Sequence, residues 1–346
     1  MPQPLDNYTA ASDDWRTSIR KNNHKTFFVI VIFFMIYLAL GILVDCFISA
    51  THYRDATIPQ LLHGIFTFQI FPLATLVMFL VAGVSLLITI SLSDKLMLLG
   101  TEYHEVSANN AKDATEKQLY NVVEEMKIAA ALPFMPKVYI IEAPYMNAFA
   151  SGYSEKSAMV AITRGLIEKL NRSELSAVMA HELSHIRHLD IKVTLMASVL
   201  ANLIIMVLDM FFYQAMFASR NSESRSRGSL MVIIVIVRYL LPVINILLLL
   251  YLSRTREYMA DAGSVELMRD NQPLASALLK IQDDHTSNKD AYGAAYQQTP
   301  HENVRREAYI FDPVQAGVEP AMSIADIFST HPNLKDRLAA IGFIQK

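Results

Sequence analysis

Five consecutive residues carry the most chemistry in this chain: His181, Glu182, Leu183, Ser184 and His185. On a helix, positions i and i+4 lie one turn apart on the same face. Two imidazoles so placed can both reach one zinc ion at about 2.0–2.1 Å. Glu182 follows the first imidazole and can lean over the same site to take a proton from an activated water. A five-residue pattern is only moderately specific, and its alternative is an exposed polar helix face. The surrounding residues argue against that alternative. Leu175, Ala177, Val178, Met179, Ala180, Leu183 and Ile186 make the stretch largely apolar, which puts the polar groups in or beside a core.

A catalytic zinc needs a third protein ligand and one open position. The only cysteine is Cys46, which excludes an intramolecular disulfide and a site built on several thiolates. A downstream Glu or His is the natural candidate. Glu257 and Asp261 are spaced i, i+4, so one can ligate while the other hydrogen-bonds a ligand imidazole. The same spacing is common on solvated helix faces, and spacing alone leaves the choice open. His188 falls seven residues after His181 and reads better as a solvated side chain than as a ligand. His24, His52, His63, His104, His285 and His301 have no partner that the sequence identifies.

These groups need elements to hold them. Asn171, with Glu174 three residues on, forms a capping box that opens a helix over about Arg172–His188. Lys117–Ala131 has helical periodicity, with Leu119, Val122, Val123, Met126 and Ala130 on one face. Lys137–Glu142 and Ala158–Thr163 read as strands. Further helices are expected near Arg256–Arg269, Pro273–Asp283 and Asn333–Ile341, with a polar, irregular stretch from His285 to Gly317. The fold class is α+β, mainly helical with a small β-sheet.

The chain has 346 residues, 53% of them hydrophobic, and a formal net charge of −3. That balance implies no nucleic-acid partner. The apolar excess lies in four runs, Phe27–Val44, Gly64–Ser93, Val193–Ala218 and Leu230–Leu252, which read as four transmembrane helices in a lipid bilayer. The first run is too long, and lacks the cleavage site, for a secretory signal peptide. The organisation expected is a tail (1–25), two spans (26–93), a first catalytic part (94–192), a helical hairpin (193–252) and a second catalytic part (253–346). Arg16, Arg20, Lys21 and Lys25 place the tail in the cytoplasm. The even span count then puts both catalytic parts there. Arg220, Arg225 and Arg227 in the hairpin loop disagree with this orientation. Asp209 and Arg238 lie within the third and fourth runs at similar depth, so they are expected to pair, the alternative being that each snorkels or faces the soluble domain separately.

His181–His185 with Asp190, the run Arg254-Thr255-Arg256-Glu257-Tyr258-Met259-Ala260-Asp261, Asn147-Ala148-Phe149-Ala150 and Ser329-Thr330-His331-Pro332 together resemble the HtpX family of membrane metalloproteases. A more distant resemblance is to the CAAX-prenyl endopeptidases. The likeness covers nearly all of the chain. It implies a zincin-type domain with one zinc ion per chain, and it makes Glu257 the third ligand beside His181 and His185. Asn147–Ala150 becomes the edge strand on which a substrate backbone pairs, with Asn147 a side-chain contact. His331 becomes a donor to the oxyanion. Asp261 supports a ligand from behind, and Asp190 either orients His185 or ends the helix. The family implies a bacterial inner-membrane enzyme, active in stress-related quality control, that cuts misfolded membrane proteins or unfolded polypeptides on the cytoplasmic side. Two rivals are a membrane scaffold with a closed structural zinc and a transporter built on Asp209 and Arg238. Asp283–Pro320 is longer and more polar than the family pattern leads one to expect.

Overall fold

β-branched residues in alternation make strands whose two faces are both buried here. In the computed structural model, Val138 and Ile140 face one core, with Leu119, Val122 and Val178. Tyr139 and Ile141 face a second core rich in tyrosine, with Tyr145, Tyr292, Tyr296 and Tyr309. The structure describes residues 8–10, 15–97, 101–152, 154–218, 227–298, 305–306, 308–318 and 331–345. Of the residues singled out above, Arg220, Arg225, His301, Ser329 and Thr330 lie outside the described residues.

In chain order the elements are β1 (Tyr8–Ala10), α1 (Trp15–His52), α2 (Ile58–Phe66), α3 (Leu73–Met97), β2 (Tyr103–Val106), α4 (Ala114–Ala129), β3 (Lys137–Ile141), β4 (Ala148–Ser151) and β5 (Met159–Thr163). There follow α5 (Arg164–Lys169), α6 (Arg172–Arg187), α7 (Asp190–Ala218), α8 (Arg227–Met268), α9 (Gln272–Ser287), α10 (Lys289–Gln298), α11 (Leu334–Ala340) and β6 (Phe343–Gln345). The chain divides into two units, 1–26 with 91–193 and 250–346, and 27–90 with 194–249.

The first unit holds a four-stranded sheet in the order β2-β3-β5-β4. β3 and β5 are parallel and the other pairs antiparallel. Among the described residues β4 is therefore an edge strand. α4 and α6 pack on one face, and α10 supplies Tyr292 and Tyr296 to the other. Part of the stretch expected to be irregular is thus helical. Its polar composition hides an i, i+4 tyrosine stripe that buries on Tyr145, whose ring stacks on Tyr296 at 4.0 Å. The helix expected over Arg256–Arg269 is also different: it continues the fourth apolar run without a break, as one 42-residue helix.

Three stretches among the described residues are long and apolar enough to cross a bilayer: His24–His52, Met196–Tyr213 and Gly228–Met268. The last contains the run that ends at Leu252. The described apolar part of α3, Leu73–Ile88, is shorter. The buried Asp45 caps α3, accepting the Ala74 N–H at 2.8 Å, the Thr75 N–H at 2.9 Å and the Thr75 hydroxyl at 2.7 Å. Arg238 and Asp209 meet at 3.0 Å, and the guanidinium lies over the Phe212 ring.

Candidate metal centre

The helix that carries both imidazoles is fixed at its start. The Asn171 side chain accepts the Glu174 N–H at 3.0 Å, and the Glu174 carboxylate accepts the Asn171 N–H at 3.0 Å. From Glu174 to Ser184 every residue is buried. α8 crosses close by because its facing residues are small. A Cβ added at Gly263 would meet the Ser184 Cβ at 2.8 Å, and the Ser264 hydroxyl donates to the Ala177 carbonyl at 2.7 Å. This approach brings Glu257 to the two imidazoles.

The Nε2 atoms of His181 and His185 are 3.2 Å apart. Glu257 adds oxygens 3.8 Å from the first and 3.5 Å from the second. One ligand atom from each of the three residues lies within 4.8 Å of the other two. Each imidazole is backed by a carboxylate. His185 Nδ1 faces Asp190 Oδ2 at 2.7 Å. His181 Nδ1 lies 3.0 Å from Asp261 Oδ1, at an oblique angle. An imidazole that gives its Nδ1 proton to a carboxylate presents a lone pair at Nε2. Burial, and then the neighbouring His181, push His185 down to about 3, so that ring is neutral. For His185 that geometry turns the Nε2 lone pair toward His181 Nε2 and the Glu257 carboxylate. Two imidazole nitrogens and a carboxylate at this spacing make a donor set that fits a metal ion.

Two buried arginines stand behind the two carboxylates. Arg256 pairs with Asp190. Arg337 donates twice to Asp261, from Nε at 2.9 Å and from Nη2 at 2.6 Å. Asp190 does not simply end a helix. Leu189, with φ 53°, breaks α6, and Asp190 opens α7 facing His185. The sequence gives neither arginine a role. Arg256 sits beside Glu257 and offered a weak signal, but Arg337 is 76 residues from its carboxylate and offered none.

Glu182 is 1% exposed. Burial, and then the charge on Glu257, raise its carboxyl well above the usual range, while Arg337 and the Ala150 N–H pull the other way. His331 is buried with Nδ1 3.2 Å from Glu257 Oε2. Burial disfavours its charge, but Glu257 outweighs this and raises its pKa.

β4 runs beside α6, but its first residues are already engaged. The Ile310 N–H donates to the Ala148 carbonyl at 2.9 Å. Asn147 is fully buried. Its amide donates to the Phe311 carbonyl at 2.9 Å and the Tyr296 hydroxyl at 3.2 Å, and its oxygen accepts the Phe311 N–H at 3.3 Å. The side chain expected to touch substrate instead ties the edge strand to residues 310–311. Phe149 is also fully buried, packed edge-on against Tyr309. His285, without an identifiable partner in the sequence, faces the Ile281 carbonyl at 2.9 Å and the Tyr296 hydroxyl at 3.2 Å.

Comparison with known proteins identifies a family. The family model described as "Peptidase family M48" matches residues 113–344. A "Protease HtpX homolog" from Helicobacter pylori (strain Shi470) is 39% identical over 94% of this chain and 96% of its own length. A "Protease HtpX homolog" from Streptococcus uberis is 30% identical over 92% of this chain and 96% of its own length. Among solved structures, S. mikatae Ste24p has a TM-score of 0.47 at 18% identity, over 77% of this chain and 57% of that one. The chain belongs to Peptidase family M48 and is a membrane metalloprotease.

Proposed function

We propose that this protein is a zinc-dependent endopeptidase of the bacterial inner membrane that cuts misfolded or damaged membrane proteins, and other unfolded polypeptides, on the cytoplasmic side. The observation that carries the reading is the convergence of His181 Nε2, His185 Nε2 and the Glu257 carboxylate beside the buried Glu182. His181, His185 and Glu257 hold one zinc ion per chain. Zinc, when bound, supplies Lewis-acid polarisation of the scissile carbonyl and of the attacking water. Glu182 takes the proton from that water and passes it to the leaving amine nitrogen. His331 keeps one ring nitrogen on Glu257 and offers the other N–H to the oxyanion. Asp261 and Asp190 hold the imidazole tautomers.

The substrate backbone adds to the outer edge of β4 at Ala150, where the edge lies beside Glu182. The start of the strand, at Asn147 and Ala148, serves to hold that edge in place. Main-chain pairing gives affinity with little sequence preference, which suits a quality-control enzyme. α3 supplies the fourth span beside the three longer apolar stretches. The basic tail and the even span count then set both catalytic parts on the cytoplasmic side.

The test is cleavage of casein and of an unfolded membrane protein by the purified, zinc-loaded protein. Glu182→Gln should retain zinc and lose turnover by at least about 10²–10⁴-fold, the usual contribution of a positioned base. Chelation should abolish cleavage, and zinc should restore it. A Glu182→Gln protein that cuts like the wild type would overturn the assignment.

A further inference from the structure

One buried side chain touches both the metal cradle and the segment that covers the start of β4. Arg337, on α11, is 3% exposed. Its two-point grip on Asp261 uses both carboxylate oxygens and so fixes the carboxylate plane that faces His181 Nδ1. Its remaining nitrogen, Nη1, donates to the Ile310 carbonyl at 2.6 Å and lies 3.7 Å from Glu257 Oε2. The Ile310 N–H in turn holds the Ala148 carbonyl of β4. A path thus runs from His181, 3.0 Å from Asp261 Oδ1, through Asp261, Arg337 and Ile310 to the edge strand, hydrogen-bonded at every step after the first. α11 is itself anchored by Asn333, whose side chain accepts the Asp336 N–H at 2.8 Å.

We infer that Arg337 is a positioning residue that holds the metal cradle and the substrate strand in one register, acting on the metal through Asp261. This rests on the reading of the site as a zinc centre. The chemistry needs an arginine. A planar fork of donors grips a carboxylate at two points and still reaches a third acceptor, whereas a lysine ammonium is a single point charge on a flexible stem. A purely structural role would lower the stability of the apo and metal-loaded forms alike and leave the zinc affinity of the folded protein unchanged.

The experiment compares full-length wild type, Arg337→Lys, Asp261→Asn and the double variant in detergent. Zinc affinity is read by competition with a chromophoric chelator, beside the thermal midpoint of each apo form. Each single change should weaken zinc binding by about 10–100-fold, the usual cost of losing a residue that orients a ligand. The double variant should lose little more than the worse single one, because both break one chain of bonds. Arg337→Lys with wild-type zinc affinity and only a lowered apo midpoint overturns the positioning role, as do losses that multiply in the double variant. Should Arg337→Lys not fold, Asp261→Asn decides, since unchanged affinity there removes the link through which Arg337 acts. A wild type that binds no zinc overturns the zinc-centre reading, and this inference with it.

Discussion

Two arginine–carboxylate pairs sit in the two units of this protein, and they are built differently. Arg337 and Asp261 in the first unit are 3% and 0% exposed and meet at two points. Arg238 and Asp209 in the second are 21% and 47% exposed and meet at one. A buried charge must be paired, because the low-dielectric interior makes an unpaired one costly. A pair joined at one point is held less tightly, and polar pairs within membrane proteins couple weakly on average. Aromatic rings around Arg238, with Phe212 at 4.3 Å and Tyr213 at 5.3 Å, give that guanidinium a second source of stabilisation. The first pair is thus buried and doubly bonded, and the second is partly exposed and shielded by aromatic rings.

The largest break in this comparison is Asp261→Ala. It strands Arg337 in the core and should destabilise the first unit by about 3–5 kcal/mol, the cost of leaving a buried charge unpaired. Denaturant unfolding followed by a probe in that unit measures it, and a loss below about 1 kcal/mol would put this pair in the same class as the other.

A smaller effect should come from acid. Burial pushes His285 down to about 4, only partly offset by its bond to the Ile281 carbonyl and the charge of Asp284. An unfolded histidine titrates near about 6.5. The unfolded chain therefore takes up the proton first, and stability present above about pH 6.5 is lost as pH falls toward 4. His285→Gln should flatten that limb. Glu116 gives a second, lower window. Burial raises its carboxyl, but the Lys112 N–H, Arg164 and His104 together hold it at about 2. Its contribution survives until the pH drops below the ordinary glutamate value of about 4.3. A single acid transition, unaltered by His285→Gln, would contradict this separation.

The smallest effect belongs to the exposed pair. Asp209→Asn combined with Arg238→Gln should show a coupling below about 1 kcal/mol in a double-mutant cycle, in line with the average of about 0.6 kcal/mol for polar pairs in membrane proteins. A coupling of several kcal/mol would mean that this pair is held as tightly as Arg337 and Asp261.

The acid limb also shows where sequence reading stopped. The helix of His181 and His185 was legible because its cap and its apolar periodicity are local signals, and the structure places it over Arg172–Arg187. The strands at Lys137 and Ala158 were legible for the same reason. α10 was not, because two tyrosines among polar residues look like a loop until Tyr145 is set against them. Asn147 was marked as a substrate contact, yet its amide is used up by Phe311 and Tyr296, which come from distant parts of the chain.

By itself the sequence determined that two imidazoles and the Glu182 carboxylate share one stretch of helix, since their spacing on one helix turn is a property of the helix alone. It also determined the apolar runs, since bilayer crossing depends on length and composition. Tertiary structure decided which carboxylate completes the donor set, which acids back the imidazoles and which arginines back the acids. These partners come from α7, α8 and α11, and no local pattern encodes their meeting. They meet because small residues let α8 approach α6, and because a buried carboxylate requires a cation that only the folded chain can bring.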